Sequence, residues 1–207
     1  MNALEIFLLD LGLSWTTSKL APYLLMITIG LLLVIVSRKR IVKKKFVVRF
    51  LVKFTLLIIP FVSYFVYSPI YQGDFSNNSV ALFKSDSEKE LQGRKLVVLS
   101  IPGCPYCFNA LDKMKKLKER VSNIEIEYLV CHLDPETIQW YKEGAGNAID
   151  VKLAENIQAM SKLASGVFPT FVLVEKDKVL RTWSNNHFGF PALDEIELSF
   201  NKPCYVK

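Results

Sequence analysis

Histidine is scarce in this 207-residue chain, with only His132 and His187, and cysteine stops at Cys104, Cys107, Cys131 and Cys204. Structural zinc normally takes four ligands. With a single C-x-x-C and one adjacent Cys131-His132 pair, a zinc or copper site is a minor reading, and four cysteines do not make a disulfide scaffold for a chain this long. No acidic residue occurs between Ser37 and Lys53, where eight basic ones gather. Elsewhere the charges nearly cancel, so the net +6 is one local cluster. A nucleic-acid-binding face, which needs its own positive stripe on the main domain, is not expected. Internal repeats and low-complexity tracts are absent.

Two stretches lack charge altogether. Leu20–Val36 is 17 residues long and Phe54–Gly73 is 20, close to what crosses a bilayer. They flank the basic cluster, so residues 20–73 read as a transmembrane hairpin with a cytoplasmic loop at 37–53. Pro22 is expected at an early helical position, and Pro60 is tolerable inside a membrane helix. Both termini then lie outside the cytoplasm. Glu5 and Asp10 replace a positive n-region, so a cleaved signal peptide is not expected. Residues 1–19 form a possible interfacial segment, with Trp15 suited to the membrane boundary. Tyr64, Tyr67 and Tyr71 collect toward the outer end of the second span. Residues 74–93 read as a polar extracytoplasmic connection, in which Val80, Leu82, Phe83 and Leu91 allow partial packing.

Residues 94–201 change pattern. Leu96–Ser100 is an apolar strand, and a turn delivers Cys104 and Cys107. Phe108, Leu111, Met114 and Leu117 then follow at helical spacing. Ile124–Val130 is a second strand. Asp134-Pro135 starts a helix that Gly144 and Gly146 stop. Leu153–Ser165 is predicted helical. Thr170–Val174 and Val179–Trp183 form a hairpin, and a last helix begins near Pro191. The expected class is α/β, with helices on a four-stranded mixed sheet. Residues 202–207 are a tail, and Cys204 in it has no assigned role.

A cysteine at a helix start meets free N–H groups and the positive end of the helix dipole, which stabilise a thiolate. Cys104 is therefore the candidate attacking sulfur and Cys107 the resolving one, with Pro105 and Tyr106 shaping the loop between them. Cys131-His132 should emerge at the same sheet edge as the dithiol. It reads first as a semi-buried residue with loop neighbours, and alternatively as an accessory thiol or a tuning imidazole.

From about Leu96 to Phe200 the chain resembles the thioredoxin superfamily. Cys104-Pro105-Tyr106-Cys107 is similar to the dithiol glutaredoxin motif, and the whole to membrane-tethered thioredoxin-like proteins. Val167-Phe168-Pro169-Thr170 matches the superfamily's cis-proline position. The resemblance implies a cis Phe168–Pro169 bond and a substrate groove lined by Phe168, Pro169 and Thr170. The tryptophan that usually precedes the first cysteine is replaced by Ile101-Pro102-Gly103. The implied activity is thiol–disulfide oxidoreduction at an extracytoplasmic face of the inner membrane. It needs no cofactor or metal, and its partners are cysteine-containing proteins and a recharging redox partner. The rival reading is a non-catalytic thioredoxin-like domain that binds protein or metal in a membrane complex.

Overall fold

A computed structural model describes residues 1–41, 45–80 and 89–201, which fall into two compact units, Met1–Tyr71 and Gln72–Lys207. Lys43, Lys44, Leu82, Phe83 and the tail with Cys204 lie outside the described residues.

In the first unit, α1 (Ala3–Asp10) opens with a capping box: Asn2 accepts from the Glu5 amide, and Glu5 accepts from that of Asn2. Two long helices follow, α2 (Trp15–Ile41) and α3 (Phe46–Tyr67). Within them Trp15–Arg38 and Phe46–Tyr67 are long and apolar enough to cross a membrane. Their outward surface is itself apolar: Leu24, Ile35, Phe46 and Val66 are 63, 65, 79 and 76% exposed. A soluble protein does not leave so much contiguous apolar surface to water, which fits anchoring in a bilayer. Gly30 lets the two helices approach, since a Cβ there would meet the Leu57 carbonyl oxygen at 2.5 Å.

Two details differ from the sequence expectation. Helix α2 starts at Trp15, so Pro22 sits inside it, two turns from its start. It also takes in Lys19, which is buried beside Glu5 at 3.0 Å. Ser68 donates to the same Glu5 carboxylate at 2.8 Å, and Asn2 donates to the Tyr64 hydroxyl at 2.8 Å. Burial pushes the Glu5 carboxyl up, but the Ser68 and Lys19 hydrogen bonds, the Asn2 amide and the Lys19 charge outweigh it and hold it below its ordinary value.

The second unit is an α/β domain. Its strands are β1 (Lys95–Ser100), β2 (Glu125–Val130), β3 (Asp150–Leu153), β4 (Thr170–Glu175) and β5 (Lys178–Ser184), in the order β3-β2-β1-β4-β5. The β1–β2 and β2–β3 pairs are parallel, whereas β1–β4 and β4–β5 are antiparallel. The sheet is mixed, as expected, with one strand more than the four expected. The fifth is β3, where Leu153 pairs with Val130 instead of opening a helix. Asn156 then caps α6 (Ile157–Leu163) by accepting from the Ala159 amide, so that helix is shorter than residues 153–165. The remaining helices are α4 (Pro105–Arg120), α5 (Gln139–Ala145) and α7 (Phe190–Asn201).

Strand alternation divides the core. Val97, Leu99, Leu129, Cys131, Val172 and Val174 pack with Met160 of α6 and Ala164 at its C-cap. Leu96, Val98, Ile126 and Tyr128 point to the other face, where Leu111, Met114 and Leu117 of α4 and Leu193 and Ile196 of α7 are buried. Residues 72–80 belong to this unit. Val80 bridges Thr182 on β5, the Phe190 amide donates to Asp74 O at 2.7 Å, and the Trp183 indole donates to Asn77 Oδ1 at 2.8 Å.

Candidate active site

The site is built where β1 ends. The chain turns through Gly103 at φ +68°, a left-handed conformation that a Cβ would strain. It enters α4 with Cys104 as N-cap and Pro105 in the first turn, where a missing N–H costs nothing. Cys104 Sγ accepts from the Cys107 amide at 3.1 Å. The two cysteines form a disulfide with their Cα atoms 5.3 Å apart. Cys107 is fully buried, whereas Cys104 keeps 8% exposure, so an incoming sulfur can reach only Cys104. On reduction, the amide that faces Cys104 Sγ and the dipole of α4 remain in place to stabilise a thiolate there.

The second wall comes from the loop before β4. Phe168–Pro169 is a cis peptide bond, and Pro169 is buried. The Phe168 carbonyl oxygen lies 4.0 Å from Cys104 Sγ. Thr170 is buried and donates to Val167 O at 2.6 Å, which holds the loop, while the Phe168 side chain rests on the α6-side core. Tyr106 is 65% exposed, in the first turn of α4. The structure thus brings Cys104, Cys107, Pro105, Tyr106, Phe168, Pro169 and Thr170 to one end of the sheet.

Cys131 reaches the same edge, since its amide donates to Ser100 O at 2.8 Å. Its side chain, however, enters the α6-side core as a buried free thiol. Burial pushes that thiol up to about 11; a Ser161 hydrogen bond lowers it and the Glu90 charge raises it. It is therefore protonated and unreactive near neutral pH. His132 is exposed, and its Nδ1 accepts from the Asp134 amide at 3.1 Å, a bond that shapes the loop. Among the described residues, no three His, Cys, Asp or Glu side chains converge in a way that would hold a metal ion.

Sequence reading did not find the α5 contribution. Tyr141 donates to Ile101 O at 2.7 Å, and the Trp140 ring stacks on Phe108 at 4.3 Å. Those aromatics sit at ordinary core spacing, and nothing in their pattern names the partner.

No protein-family model and no curated protein matches the chain. Solved structures similar to it include a secreted Mycobacterium tuberculosis disulfide oxidoreductase homologous to E. coli DsbE. That likeness has 14% identity over 54% of this chain and 85% of the other, with a TM-score of 0.43. A putative thioredoxin from Neisseria meningitidis is 21% identical over 63% and 93% of the two chains, with a TM-score of 0.46. The thioredoxin domain of a Bacteroides vulgatus thiol-disulfide oxidoreductase is 14% identical over 64% and 99%, with a TM-score of 0.45. These likenesses are distant, and the chemistry of the site rests on its own geometry.

Proposed function

We propose that the protein is a membrane-anchored thiol–disulfide oxidoreductase that acts on extracytoplasmic protein thiols through Cys104-Pro105-Tyr106-Cys107. The supporting observation is the asymmetry of the pair. One sulfur is reachable at a helix N-terminus beside the Phe168 carbonyl, and its partner is sealed one turn in. In the reducing direction, the Cys104 thiolate attacks a substrate disulfide. A Cys104–substrate bond forms, the substrate S–S bond breaks, and one substrate thiolate leaves. Cys107 loses its proton and attacks Cys104 Sγ, which restores the Cys104–Cys107 disulfide and releases the second thiolate. Two electrons pass to the substrate and the domain ends oxidised. Run backwards, the same steps oxidise a dithiol. Either way a further redox partner must reset the pair, because this unit carries a single C-x-x-C.

The basic residues around the α2–α3 connection support a cytoplasmic loop, with the α/β domain on the other side of the membrane. Cys107→Ala in the full chain should accumulate mixed disulfides through Cys104, and non-reducing electrophoresis should show them lost with Cys104→Ala. A Cys104 thiol that titrates with an ordinary pKa and exchanges no faster than free cysteine would sink the reading.

A further inference from the structure

The substrate bond to Cys104 also limits how far from that sulfur the neighbouring substrate residues can lie. A chain joined at that sulfur advances about 3.3–3.6 Å per residue. One helical turn of α4 is about 5.4 Å. A residue one or two positions from the substrate cysteine can therefore reach one turn of α4 from Cys104. Phe108 occupies that turn, its amide donating to Cys104 O at 3.2 Å.

Phe108 is not a lone ring. Trp140 lies flat on it, with centroids 4.3 Å apart and planes 5° from parallel. Two contacts pin the pair. The Tyr141 hydroxyl ties α5 to Ile101 O, three residues before Cys104. Gly144 lets α5 settle onto α4, since a Cβ there would meet Phe108 Cε2 at 2.7 Å and Leu111 Cδ1 at 2.9 Å. The shelf is thus held at two points, and Trp140 remains 44% exposed although its neighbour Tyr141 is fully buried. A tryptophan held in one orientation with an open face offers a flat, uncharged surface that aromatic and large aliphatic groups cover well.

We propose that Trp140, backed by Phe108, is a specificity subsite that favours polypeptide disulfides whose cysteine has an aromatic or large aliphatic residue within two positions. This rests on the exchange chemistry proposed above. The step is the one already written: the Cys104–substrate bond forms, the substrate disulfide breaks, and the shelf contributes contact only.

The test uses the reduced full chain in detergent micelles. Two short peptides each carry one cysteine blocked as a disulfide with thionitrobenzoate, a good leaving group whose release is coloured. They differ only in Phe or Ser next to the cysteine. The expected result is a second-order rate constant about five- to tenfold higher for the Phe peptide, the scale of one aromatic contact. Trp140→Ala should bring the ratio close to one, and Trp140→Phe should keep most of it. Because general damage to the fold slows both peptides together, the ratio reads the subsite. Equal rates in the unaltered protein, which need no variant, would overturn the proposal. So would a preference that survives both Trp140→Ala and Trp140→Gln. If the unaltered protein releases thionitrobenzoate from either peptide no faster than free cysteine does, the exchange reading itself has failed.

Discussion

The two units differ in what they turn outward. The α/β domain hides Leu96, Leu99, Leu111 and Met114 almost completely and turns most of its charges outward. The N-terminal unit turns Ile35, Phe46 and Val66 outward and buries Glu5 and Lys19. That is how water around one unit and hydrocarbon around the proposed anchor would sort the same amino acids. In water, apolar area drives burial at about 25 cal/mol per Å2. Against hydrocarbon that drive vanishes, and packing and polar contacts hold helices together instead. What fastens α1, α2 and the end of α3 is accordingly a knot of polar groups: Glu5, Lys19, Ser68, Asn2 and Tyr64.

The most severe way to break this contrast is to remove one charge of the knot. Lys19→Met should destabilise the N-terminal unit by about 3–5 kcal/mol, the cost of leaving a buried partner uncompensated. Unfolding in detergent, followed by the fluorescence of Trp15, the one tryptophan of that unit, would measure it. Adding Glu5→Gln should recover most of the loss. The pH dependence sharpens the point. Glu5 is held below its ordinary pKa, so its contribution is present above the unfolded carboxylate pKa and is lost as pH falls through the folded one. The double variant should lack that acid-side loss.

A smaller effect is expected where residues 72–80 join the α/β domain. Asn77→Ala leaves the buried Trp183 indole N–H without its acceptor, which should cost about 1–3 kcal/mol in urea unfolding. Smaller again is Gly103→Ala, about 1 kcal/mol for a side chain forced to positive φ, with a measurable fall in exchange rate because the same turn aims Cys104. Least of all is Cys131. Folded protein at pH 8 should leave it unalkylated by iodoacetamide while reduced Cys104 reacts, and denaturation should expose it. With its thiol raised to about 11, stability should fall as pH climbs past the value of an unfolded thiol.

The legible parts of the sequence were those carried by short-range pattern. The strand before the C-x-x-C, the amphipathic helix after it and the hairpin at 170–184 all announce themselves within a few residues. The fifth strand did not. Asp150–Leu153 is four residues long, and Leu153 also fits the helical spacing of Ile157 and Met160. Only its parallel partner β2 decides between the two. The Glu5–Lys19 pair escaped for a related reason: Lys19 and Ser68 are 14 and 63 positions from Glu5, and periodicity carries no information about pairing. Cys131 could be placed at the right edge from topology. The face its sulfur entered depended on strand parity, which put it with Leu129 in the α6-side core.

The edges of the five-stranded sheet have a consequence for crowding. An open strand edge invites pairing with another chain. On one side β3 is four residues long and carries the Asp150–Lys152 ion pair, which leaves little ladder to extend. On the other, Val80 occupies the rim of β5 with two backbone hydrogen bonds to Thr182. Among the described residues, copies of the domain concentrated on one surface thus find only short or interrupted ladder on which to pair, which disfavours fusion into a common sheet.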